Sequence, residues 1–180
     1  MTSPSPLLYE PYYHIYNRGV NRENIFIEER NYVYFLGLYA KYIEPVAETF
    51  SYCLLRNHFH ALVKVKSEEE IKIRRAMKTE KIKEPSGQFS DFFNAYAKAI
   101  NKTYNRTGSL FQHPFGRLPV TSDAQFFNAV RIFTRTRRNT NLWTISESGN
   151  IRRMGRCFLK SQPACSGRLC SIGSAIESSF

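Results

Sequence analysis

The chain is 180 residues long, 14% aromatic and 23% charged, with a formal net charge of +11. That length can bury a core without metal or disulfide staples, and four cysteines do not make a disulfide scaffold, so a reducing, cytoplasmic setting is expected. No apolar run reaches the roughly 20 residues that span a bilayer, the opening "MTSPSPLLYEPYYHIYNRG" lacks the order of a signal peptide, and the charge points to an anionic partner, most commonly nucleic acid.

In chain order, "YHIYNRGV" (13–20) is aromatic and β-branched and reads as a strand. "NYVYFLGLYAKYI" (31–43) spaces Tyr32, Phe35, Leu36, Tyr39 and Ile43 as one helical stripe, with Asn31 as N-cap and Pro45 as the stop. "ETFSYCLLRN" and "HFHALVKV" read as two strands joined by a turn at Arg56 and Asn57. The charge-dense 67–88 is a part-helical connection ended by Pro85 and Gly87, and its charges fit a solvated helix face. "SDFFNAYAKAINKTYN" (90–105) is a helix capped by Ser90, with Phe93, Tyr96, Ala97, Ile100 and Tyr104 inward. "SLFQHPFGRLPVT" (109–121) is extended, and "SDAQFFNAVR" (122–131) opens another helix with Phe126, Phe127 and Val130 inward. The order β-α-β-β-α-β-α predicts an α+β, ferredoxin-like antiparallel sheet with helices on one face.

Composition breaks near residue 131. All 11 tyrosines lie at or before Tyr104, and residues 132–180 carry a net +6 against +5 for residues 1–131. Three of the four cysteines, Cys157, Cys165 and Cys170, fall in this Ser/Arg/Cys-rich tail, but their spacing lacks a paired zinc knuckle and a fourth ligand. The chain therefore divides into a domain at 1–131 and a basic tail at 132–180.

The chemistry concentrates in "LLRNHFHALVKV" (54–65). Side chains alternate along a strand, so His58 and His60 share a face, about 7 Å apart at Cα, and Phe59 takes the other. Two imidazoles so placed can chelate one metal ion; they can equally face solvent or be satisfied by backbone groups. A complete metal site would take a third ligand, and His113 in "LFQHPF" is one residue able to approach.

"YHIYNRG", "NRENIF", "LLRNHFHALV" and "GSLFQHPF" together resemble the single-tyrosine HUH transposases, most closely the REP-associated branch, over about residues 9–131. The resemblance implies a protein that binds single-stranded DNA folded into a hairpin and cuts beside it. It assigns a divalent metal, Mg²⁺ or Mn²⁺, to His58 and His60. It implies a tyrosine nucleophile on the last helix, a 5′-phosphotyrosine intermediate and strand rejoining, and it allows a homodimer. The candidates for holding the DNA backbone are Arg18, Lys98, Lys102, Arg106 and Arg117.

In that family the last helix continues Tyr-Ile-His-x-Asn-Pro. Here Ile132 stands at the tyrosine's place and Thr136 at the asparagine's, so no catalytic residue is intact. Tyr104 and Tyr96 are the fallback nucleophiles, each also suited to packing. A one-base slip at residue 132 would explain the break. Read back from the third base of the Arg131 codon, residues 132 onward permit Tyr-Ile-His-Thr-Asn-Pro, and "ESGNIRRMG" permits Arg-Glu-Trp-Lys-Tyr-Ser-Ser-Tyr. On this reading residues 132–180 are a frame-shifted, poorly ordered tail. The rival is an evolved basic tail that binds DNA.

Overall fold

The computed structural model describes residues 5–77, 82–122, 124–126, 128, 142–145 and 151–154. Strand β1 (Tyr12–Arg18) is followed by a single 3-10 turn at Val20–Arg22, helix α1 (Glu29–Tyr42), and strands β2 (Ala47–Leu55) and β3 (His58–Val65). Then come helices α2 (Glu68–Met77) and α3 (Pro85–Thr103), strand β4 (Gly116–Val120), and a short hairpin of β5 (Leu142–Ile145) and β6 (Ile151–Met154).

The main sheet has the order β2-β3-β1-β4, with every pair antiparallel. Strand β3 lies between β1 and β2, and β1 lies between β3 and β4. Two split β-α-β units therefore interlock, one crossing over through α1 and the other through α3. This is the ferredoxin-like α+β arrangement expected from the element order.

Strand alternation sends Tyr13 and Ile15 of β1, and Phe59, Ala61 and Val63 of β3, into one core with Phe35, Leu36 and Tyr39 of α1 and Phe92, Phe93 and Tyr96 of α3. Both crossover helices thus cover the same face. Phe35 is central: its ring lies 4.8–5.2 Å from those of Phe26, Phe59, Phe92 and Tyr96. Such offset and edge-on pairs add to the area they bury. Helix α2 carries Glu68, Glu69 and Glu70 in its first turn and Arg74 and Arg75 in its last, matched to its dipole, and buries Ile71 against Val46 and Ile82.

Two helix starts differ from expectation. Asn31 is not the N-cap of α1: it sits inside the helix, and its Oδ1 accepts from the backbone N–H groups of Ile27 and Glu28. Helix α3 begins at Pro85, five residues before Ser90. Proline is tolerated in a first turn because its missing N–H has no helical partner there, and the longer helix buries Phe89 as well. Ser90 instead donates back to the Ser86 carbonyl. Among the described residues, no helix is long and apolar enough to cross a membrane.

Candidate metal and nucleic-acid site

The face of the sheet opposite α1 and α3 carries the other half of each strand. The β1–β3 register sets Arg18 opposite His58, Tyr16 opposite His60 and His14 opposite Leu62. His58 and His60 therefore share this face, with ring centroids 5.2 Å apart and planes nearly perpendicular. Neither is sealed in the interior; both are part-exposed.

A third imidazole joins them. His14, 8% exposed, brings its Nε2 to 2.9 Å from His60 Nδ1. The sequence held a signal for it: His14 has the parity of Arg18 on a strand that must pair with β3. It could be read only once β1 and β3 were known to be neighbours. His58 Nδ1 lies 2.6 Å from Asn57 Oδ1, in the β2–β3 turn.

Burial pushes the His14 and His58 imidazoles below their ordinary range, and the Arg18 charge adds to the effect on His58. Burial, with His14 and His58 alongside, pushes His60 down to about 3. All three rings are therefore neutral near pH 7. The neutral ring is the form that binds a metal, so the donor set fits a divalent cation at His58 and His60. Among the described residues, no group of three His, Cys, Asp or Glu is arranged to hold a metal ion.

Tyr16 lies on the same face, its ring 5.9 Å from that of His60 and 5.3 Å from that of His14. It crosses β4 at Gly116, where a Cβ would lie 2.2 Å from Tyr16 Cζ. Beyond β4 the chain turns onto this face: Phe126 packs edge-on against Tyr12 at 6.1 Å and joins Leu62, Cys53 and Val120. Ile132 and Thr136 lie outside the described residues, as does nearly all of the tail apart from β5 and β6.

The other residues singled out from the sequence scatter. Arg18 is exposed beside His58. Lys98 and Lys102 are exposed on α3, across the sheet from the histidines. Lys102 borders a groove of about 650 Å³ between α1 and α3, together with Arg30 and Tyr34. Arg106 is engaged by Glu23 and Asn101. Arg117 donates to the Ser5 carbonyl at 3.2 Å and to Ser86 Oγ at 3.4 Å, and its guanidinium lies 3.8 Å from the Phe115 ring centroid. His113 is exposed in the loop before β4.

Tyr96 and Tyr104 sit in the helix layer, with the sheet between them and the histidines. The Tyr96 hydroxyl donates to the Ile25 carbonyl, and burial raises its pKa, which disfavours the phenolate. The Tyr104 hydroxyl bonds the Asn31 side chain.

No protein-family model matches the sequence, and no curated protein sequence matches it either. Among solved structures, the fold is similar to that of a REP-associated tyrosine transposase bound to a REP hairpin. The TM-score is 0.52 at 11% sequence identity, over 75% of this chain and 73% of that one. The likeness is one of fold.

Proposed function

We propose that this chain is a single-strand DNA-binding protein of the HUH transposase type, with a divalent-metal half-site at His58 and His60 and without the tyrosine nucleophile. The observation that carries the reading is the pairing of two neutral imidazoles with the Arg18 cation on the sheet face opposite α1 and α3. Support also comes from the fold shared with a transposase bound to a REP hairpin.

Each residue has a part in this reading. His58 and His60 hold Mg²⁺ or Mn²⁺ by nitrogen. A bound divalent cation would supply charge to the scissile phosphate oxygens. Arg18 adds a fixed positive charge beside that position, and Tyr16 offers a half-exposed aromatic surface for an unpaired base. Lys98 and Lys102 attract the DNA backbone from the helix side.

Strand transfer would require a tyrosine oxygen to attack phosphorus and release a 3′-hydroxyl, storing the phosphoester for rejoining. Ile132 has no such oxygen. Residues 132–180 are read as frame-shifted, so the nucleotide sequence is a direct check. A shifted frame must encode a tyrosine at codon 132 and an asparagine four codons later; if either is missing, the frame-shift reading is wrong.

The biochemical test uses the full chain with a hairpin-bearing single strand. A gel shift is expected, and no covalent adduct is expected with either Mg²⁺ or Mn²⁺. Loss of the shift would remove the DNA assignment. An adduct that survives denaturation would overturn the missing nucleophile and point first to Tyr16, which lies on the histidine face, before Tyr96 or Tyr104.

A further inference from the structure

The two half-site histidines are each held at the same ring nitrogen. Asn57 Oδ1 has lone pairs and no proton, so at 2.6 Å it accepts from His58 Nδ1–H. The amide orientation is consistent with this, because Asn57 Nδ2 faces the Arg22 carbonyl at 3.5 Å. At His60, one proton must sit between Nδ1 and His14 Nε2 across their 2.9 Å separation. If it belongs to His60, that ring is also Nδ1–H and its lone pair is on Nε2. If it belongs to His14, the His60 lone pair is spent on His14, and its Nε2 carries hydrogen and cannot coordinate.

We infer that Asn57 and His14 are positioning residues that fix His58 and His60 as a matched pair of Nδ1–H tautomers, so that both present Nε2 to one divalent cation. The inference rests on the metal reading of the pair given above. Its logic is general: a ligating imidazole is oriented, and made a better donor, by the acceptor that holds its other nitrogen. What is particular here is that the two acceptors come from different places. Asn57 is supplied by the turn immediately before His58. His14 is supplied by the neighbouring strand, diagonal to His60 in the β1–β3 register. Neither is a carboxylate, so the half-site gains orientation without a further negative charge, and an incoming phosphate meets no repulsion from the acceptors.

The test has two readouts on the full-length chain. Long-range ¹H–¹⁵N spectra of the metal-free, ¹⁵N-labelled protein report the tautomer of each histidine. Both His58 and His60 should be Nδ1–H, with His14 accepting at Nε2. Titration with Mn²⁺, followed by the EPR signal of the free ion, reports affinity. Asn57→Ala and His14→Phe should each weaken Mn²⁺ binding about 10-fold or more. Asn57→Asp and His14→Gln, which restore an acceptor, should recover most of the loss and keep the partner ring as Nδ1–H. An Nε2–H tautomer at His60, or Mn²⁺ affinity unchanged in both Asn57→Ala and His14→Phe, would overturn this inference and leave the metal half-site standing. If the wild-type chain shows the stated tautomers and takes up no Mn²⁺, the metal reading itself fails, and the coordinating purpose inferred here goes with it.

Discussion

On β3, Phe59, Ala61, Val63 and Val65 point into the helix layer, while His58, His60, Leu62 and Lys64 point away from it. On β1 the same alternation sends Tyr13 and Ile15 one way and His14, Tyr16 and Arg18 the other. One face is a closed aromatic core. The other holds three neutral imidazoles, a half-exposed tyrosine and a cation, with a small apolar patch around Leu62, Cys53 and Phe126 at one end. The contrast teaches that a single strand can carry a packed core on one side and a polar cluster on the other, because its two residue sets do not compete for the same space. It also means that the two faces should fail differently when perturbed.

The largest effect should come from the helix-covered face. Phe35→Ala removes a ring packed against four others and should destabilise the chain by about 3–5 kcal/mol in urea unfolding. A loss under about 1 kcal/mol would mean that this layer is not the stabilising one.

The histidine face should reveal itself through pH. Its three imidazoles have folded pKa values below the unfolded value of 6.5. The unfolded chain therefore binds protons first as pH falls. Stability is fully present above about pH 6.5 and declines below it. For His60, whose folded value is about 3, the decline from pH 6.5 to 5 is on the order of 1–2 kcal/mol. Urea midpoints for metal-free protein at the two pH values should show this slope, and His60→Gln should flatten it. A slope that is unchanged in His60→Gln would place that ring in a solvated setting.

A smaller effect is expected where the two edge features meet. A Cβ at Gly116 would collide with the Tyr16 ring, which is only part-buried and can swing outward. Gly116→Ala should cost about 1 kcal/mol or less, while weakening binding of unpaired DNA if Tyr16 stacks on a base.

The closed face was legible in the sequence for a physical reason. Phe35, Leu36 and Tyr39 recur at helical spacing, and Phe59, Ala61 and Val63 recur at strand spacing, so local period alone predicts what they bury. The shared face of His58 and His60 was legible for the same reason, since two residues apart on a strand means one face. His14 was not, because it reaches His60 through pairing between β1 and β3, 46 positions apart. Arg106 and Arg117 read as candidates for the DNA backbone from sequence, but long-range partners engage both: Glu23 in one case, Ser5 and Ser86 in the other. The start of α3 was misplaced because Pro85 reads as a break unless the chain before it already ends in a loop.

The smallest effects on stability, and the sharpest test of which face meets DNA, belong to the remaining cations. Arg18, Lys98 and Lys102 are exposed, so replacing any one by alanine should change stability by no more than about 0.5 kcal/mol. Their consequence should appear in the salt dependence of binding. A side chain that neutralises one phosphate of a single strand adds about 0.7 to the slope of log K against log salt, and its removal takes that much away. Arg18→Ala should produce that drop, and so should Lys98→Ala and Lys102→Ala if the DNA reaches both faces, as a hairpin with a flanking strand can. The sheet stands between Arg18 and the two lysines, so one short segment of backbone cannot meet all three. A drop with Arg18→Ala and none with either lysine would confine the DNA to the histidine face. The reverse pattern would separate the binding surface from the half-site, and with it the reason for placing a cation beside a phosphate there.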